Sequence, residues 1–194
     1  MVQQHPEKSY CHVGHISLSF WQNIGGKSMK HILARLTIVI CAFIVVSTGH
    51  AQDYRKLYTQ WKGAEMPLDV FNGGQFNNFV HLAANGNYSG QQWMITNSGT
   101  WRHLTTQFRG SGMCLDVVNG GPLNNFVQLT PCGNYSGQFW NFRKDGGLYR
   151  LTTQFRGNGM CLDIFNGGPY DGMAHLAKCA AYTGQLWQLS QRID

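Results

Sequence analysis

The chain has 194 residues, enough for one or two domains, with only 12% charged and 13% aromatic side chains and 24 glycines against 5 prolines. This composition excludes a disordered chain, because so many aromatics call for burial, and it excludes collagen, because the glycines keep no three-residue period. The formal charge of +6 is spread without a Lys/Arg cluster, which argues against a nucleic-acid-binding stripe.

Residues 1–28 precede a second methionine. The segment Met29–Ala51 opens with Lys30 and Arg35, continues through the eleven-residue run Leu36–Val46, and ends in small residues. That order is the signature of a secretory signal peptide cleaved after Ala51. The run is well short of the ~20 apolar residues a membrane-spanning helix needs. Signal peptides begin a chain, so Met29 reads as the true start and 1–28 as an untranslated or disordered leader. His5, Cys11, His12 and His15 in that leader match no zinc spacing. The mature chain, 52–194, is then expected to be secreted or periplasmic, with no membrane span.

From residue 57 the sequence repeats. Leu57–Ile95, Leu104–Phe142 and Leu151–Leu189 align without gaps, and Trp93, Trp140 and Trp187 mark a period of 47 residues. Each copy holds four short strand-like runs separated by Gly/Asn turns. In the second copy these fall near Leu104–Phe108, Met113–Val118, Phe126–Thr130 and Gln138–Phe142. No segment keeps a helical period. The expectation is therefore all-β. A unit this small cannot bury its own apolar face, so three must share one core about a pseudo-threefold axis. The repeated Trp and its Leu, Ile and Phe neighbours are the expected core.

Four cysteines follow Ala51. Cys114 and Cys132 recur as Cys161 and Cys179, while the first copy has Pro67 and Asn85 at those places. Joint absence is what pairing within a copy predicts, giving Cys114–Cys132 and Cys161–Cys179; the alternative is free buried thiols. Strand parity then places Asp116 on one outer surface with Gln128. The same parity joins Asp163 to His175 and Asp69 to His81. A carboxylate beside an amide or imidazole suits a neutral polyhydroxylated ligand, accepting hydrogen bonds from adjacent hydroxyls. Tyr88, Tyr135 and Tyr182 stand three residues before each Gln-x-Trp glutamine and offer a ring for the C–H face of a sugar. The alternative for the aspartates is support of the Asn-Gly-Gly turn that follows them. The Trp and Gln of Gln-x-Trp read mainly as structural.

The stretch CLDVVNGGPLNNFVQLTPCGNYSGQFW and its counterparts around PLDVF and CLDIF resemble the ricin-B-type β-trefoil lectins over residues 54–190. The resemblance implies a twelve-strand β-trefoil with shallow pockets, up to one per repeat, for galactose-type or related sugars. It places the sugar-binding aspartate at Asp69, Asp116 and Asp163. The third-strand polar residue falls at His81, Gln128 and His175, and the aspartate-positioning glutamine at Gln91, Gln138 and Gln185. The chain departs from the pattern at Ala83, Thr130 and Ala177, where an aromatic often stands, and at Gly90, Gly137 and Gly184, where an asparagine often stands. The second copy, with Asp116, Gln128, Asn134 and Tyr135, is the most complete.

These readings lead to a secreted carbohydrate-binding protein without catalysis, cofactor or metal. Its polar groups recur with the repeat, whereas a catalytic set is asymmetric, and His103 has no evident partner. The alternative is the targeting subunit of a secreted toxin or glycan-degrading enzyme, with a partner chain.

Overall fold

The computed structural model describes residues 12–19, 33–40 and 53–193. The chain divides into two units, Met1–Gly49 and His50–Asp194. In the first, strands β1 (His12–Ser19) and β2 (Leu33–Ile40) pair antiparallel, from His12 opposite Ile40 to Ser19 opposite Leu33. The leader and signal-peptide assignments otherwise lie outside the described residues.

Among the described residues the second unit contains thirteen strands and no α-helix. Seven form one sheet: β3 (Tyr54–Arg55), β4 (Leu57–Thr59), β7 (Trp93–Ser98), β8 (Trp101–Thr106), β11 (Trp140–Asp145), β12 (Leu148–Thr153) and β15 (Trp187–Leu189). β3 pairs with β7, and β15 pairs with β4. The two ends of this sheet are thus halves of one broken strand, and the sheet closes into a barrel. The break lies at Lys56, whose backbone N–H donates to the Ser190 hydroxyl instead of a strand carbonyl. It accounts for thirteen strands where four per copy gives twelve. The remaining strands form three hairpins, β5 (Leu68–Val70) with β6 (Val80–Leu82), β9 (Met113–Val117) with β10 (Val127–Pro131), and β13 (Met160–Ile164) with β14 (Ala174–Lys178). This is a β-trefoil.

Two strands of the second copy are displaced from the sequence expectation. The strand expected near Gln138–Phe142 begins at Trp140, because Ser136–Gln138 form a 3-10 turn that buries the glutamine. The strand expected near Leu104–Phe108 begins at Trp101. Residues between the aligned copies are barrel hairpins, with Gly99 and Gly146 at positive φ in their turns.

The core consists of six triplets of equivalent residues. Leu57, Leu104 and Leu151 form one and Trp93, Trp140 and Trp187 another, with Leu68, Val70, Val80, Leu82 and their equivalents completing the set. Each Trp is almost wholly buried, and its indole N–H donates to the carbonyl of Leu68, Leu115 or Leu162 at 2.8–3.0 Å. A buried donor is thereby satisfied identically three times. A smaller cluster of Phe79, Phe126 and Met173 joins the hairpins. Both expected disulfides form, Cys114–Cys132 and Cys161–Cys179.

Candidate functional site

The hairpin register makes Asp69 the cross-strand partner of His81, Asp116 of Gln128, and Asp163 of His175, as parity required. Each aspartate is held the same way. Oδ1 accepts from the backbone N–H of the next residue at 2.7–2.8 Å. Oδ2 accepts from Nε2 of Gln91, Gln138 or Gln185 at 2.8–3.1 Å. Asp116 gains a further donor in the Thr130 hydroxyl, 2.9 Å away. Each glutamine is 0% exposed, and its Oε1 accepts from the backbone N–H of Gly86, Gly133 or Ala180. The glutamines therefore do not reach a ligand. They fix the carboxylates: Oδ1 of each keeps a lone pair for an incoming hydroxyl, as does Oδ2 of Asp69 and Asp163, whereas Oδ2 of Asp116 already accepts from both Gln138 and Thr130.

Gly90, Gly137 and Gly184 are explained by the same arrangement. A Cβ at these positions would lie 2.2, 2.2 and 2.7 Å from Oδ1 of Asp69, Asp116 and Asp163. The turn-support alternative belongs to other residues. Gly73, Gly120 and Gly167 donate their backbone N–H to Oδ1 of Asn77, Asn124 and Asp171, while Asp69, Asp116 and Asp163 sit on the strands before the turns.

Each aspartate opens into a cleft. The first holds Asp69, Asn72, Asn87 and Tyr88. The second holds Asp116, Asn119, Asn134 and Tyr135, and the third Asp163, Asn166, His175 and Tyr182. Their volumes are about 350, 380 and 490 Å³. The three tyrosines are 61–63% exposed, unlike the buried core aromatics. Of the third-strand polar residues only His175 lines its cleft. His81 stacks on Phe71 with ring centroids 3.6 Å apart, and His175 on Phe165 at 3.7 Å. Burial lowers both imidazole pKa values, against the opposing pull of Asp69 and Asp163. Gln128 bridges to Phe79 of the first copy. His81 and His175 are bridged through the backbone in the same way, to Met173 and Phe126. His103 stacks on Phe139 at 5.1 Å.

Sequence reasoning missed an aromatic in each cleft that comes from another copy. Phe108 lines the first, Phe155 the second and Trp61 the third. The N–H of Phe108 donates to Ser89 O, that of Phe155 to Ser136 O and that of Trp61 to Thr183 O, at 3.1–3.2 Å. A cation covers each ring, Arg109, Arg156 and Lys62 lying 4.0–4.1 Å from the centroids. Arg109 also donates to Asn77 and Arg156 to Asn124, both at 2.7 Å, latching the rings to the turns of the preceding copy. The recurring aromatic–cation pair at 61–62, 108–109 and 155–156 was the available signal.

The sequence profile of the ricin-type beta-trefoil lectin domain matches residues 62–187, and the chain belongs to this family of carbohydrate-binding domains. Among solved structures, the designed 3-fold symmetric protein ThreeFoil is 25% identical with a TM-score of 0.58, over 71% of this chain and 97% of that one. The Macrolepiota procera ricin B-like lectin, in complex with lactose, is 18% identical with a TM-score of 0.56, over 72% and 96%. A mosquitocidal holotoxin is 13% identical with a TM-score of 0.63, over 74% of this chain but only 17% of its own. No curated protein matches in sequence.

Proposed function

We propose that the chain is a secreted, non-catalytic, multivalent lectin for galactose-type or related glycans. The observation that carries this is the threefold recurrence of one cleft: a glutamine-pinned carboxylate, an exposed tyrosine, an asparagine on the Asn-Gly-Gly turn, and an aromatic from another copy. The carboxylate suits adjacent hydroxyls and the rings suit a sugar's C–H face. Asp69, Asp116 and Asp163 with Tyr88, Tyr135 and Tyr182 are the proposed contacts, joined by Asn134 in the second cleft and His175 in the third. Gln91, Gln138 and Gln185 act by positioning. Linked sites raise avidity by ~10²–10⁴ on a multivalent surface. Export rests on the signal-like segment Met29–Ala51, and the disulfides fit an oxidising compartment.

Retention on immobilised glycans tests the reading. The full chain should be held by a galactose-containing glycan, and Asp116→Ala should weaken retention while remaining folded. No retention of the parent on any sugar, or equal retention of the two, refutes it. The similarity to part of a holotoxin favours a second reading, delivery of a partner chain. Co-purification of a stoichiometric partner from the medium would establish it.

A further inference from the structure

Four of the places where the first copy breaks the 47-residue repeat converge on one cleft. Lys56 stands where the other copies have His103 and Arg150, and Tyr58 where they have Thr105 and Thr152. Asn85 replaces Cys132 and Cys179, and Gln92 replaces Phe139 and Leu186. These four, with Asn87 and Ser190, line a cavity of about 450 Å³ on the barrel beside the first cleft. Asn87 belongs to both walls.

The other copies are built differently at this level. In the second, Phe139 packs on His103. In the third, Arg150 is neutralised by Asp145 at 2.6 Å and also donates to Ala180 O and Gln185 Oε1. Lys56 donates to Asn85 Oδ1 and, at 2.7 Å, to Gly86 O. Both acceptors are uncharged, and the ammonium forms no ion pair among the described residues. Among the described residues no acidic side chain lines the cavity. Partial burial raises the Tyr58 pKa, so its phenol remains a hydrogen-bond donor. A cation surrounded by hydroxyl and amide groups, with no counter-charge among the described residues, matches an anionic substituent on a polyhydroxylated ring.

We propose that this cavity is an accessory subsite that extends the first cleft past Asn87 and selects saccharides carrying a carboxylate or a sulfate ester. The subsite rests on the reading of Asp69 and Tyr88 as a saccharide cleft. It would distinguish the first cleft from the other two, whose counterparts are filled or already neutralised.

The probes are lactose, sialyllactose and lactose sulfated on galactose, titrated into the full chain and followed by calorimetry and by NMR of the tyrosine rings. The expected result is about a fivefold preference for an anionic form, the size of a partly exposed ion pair, which shrinks as salt screens it. Which anionic form is preferred separates carboxylate from sulfate. Lys56→Gln should abolish the preference and leave lactose affinity unchanged. Gln92→Phe, which restores the residue of the second copy, should fill the cavity with the same effect. Equal binding of all three probes by the parent, or a preference that survives Lys56→Gln, overturns the subsite and leaves the lectin reading intact. A parent that binds none of the three overturns both.

Discussion

Replacing Gly137 by alanine tests the carboxylate cradle at one atom. Gly137 is outside the positive-φ set, so its backbone tolerates a side chain, yet the new Cβ would lie 2.2 Å from Asp116 Oδ1 and 3.3 Å from Val117 N. The carboxylate must swing away. It is held by Val117 N at 2.7 Å, Thr130 Oγ1 at 2.9 Å and Gln138 Nε2 at 3.1 Å. Losing three such bonds at a net of about 1 kcal/mol each costs about 3 kcal/mol. The lower chain entropy of alanine in the unfolded state returns up to about 1 kcal/mol. The net loss of about 2 kcal/mol lowers Tm by roughly 4–8 °C in a domain of this size. Scanning calorimetry measures that shift, and NMR titration with lactose shows whether the second cleft alone falls silent. Gly184→Ala, with its milder 2.7 Å approach to Asp163, should cost less. A Gly137→Ala chain that melts and binds like the parent would refute the argument that the glycine exists to seat the aspartate.

Three other outcomes are expected. Replacing Cys114 and Cys132 by serine opens a link spanning 18 residues and should cost about 3 kcal/mol, read as a lower denaturant midpoint. Trp61→Ala should weaken sugar binding at the third cleft alone, visible as loss of ligand-induced shifts at Tyr182 with those at Tyr88 and Tyr135 retained. Burial lowers the pKa values of His81 and His175, so below their unfolded value of about 6.5 the unfolded chain takes up protons that the folded chain refuses. Stability is then full above that pH and declines as pH falls toward the depressed folded values. Melting temperatures from pH 7.5 to 5 should show the decline, and His175→Phe should reduce it.

The triplication, the core tryptophans, both disulfides and the pairing of Asp116 with Gln128 were legible in the sequence. Strand parity and the joint loss of Pro67 and Asn85 as cysteine positions act within one copy, and within a copy those rules suffice. Phe108 escaped because its partner Asp69 belongs to the preceding copy, and parity carries no information across that boundary. His81 was placed beside Asp69 correctly, but its stacking on Phe71, like that of His175 on Phe165, is a contact with a turn aromatic that strand parity does not foresee. The barrel strand at Trp101 was displaced because its hairpin straddles the alignment's edge, and the one at Trp140 because the turn at Ser136–Gln138 takes the residues before it.

The third cleft is the seam of a ring. Its carboxylate and tyrosine come from the last copy, while Trp61 comes from the first and is tied by its backbone to Thr183. The other clefts need only consecutive copies, whereas this one exists only after the barrel has closed on itself. Its parts are the most distant in sequence, so its closure carries the largest loop-entropy cost of the three. A ligand bound across that seam would act as a clasp, favouring the closed ring by mass action, so filling that single cradle would couple binding to the integrity of the whole circle.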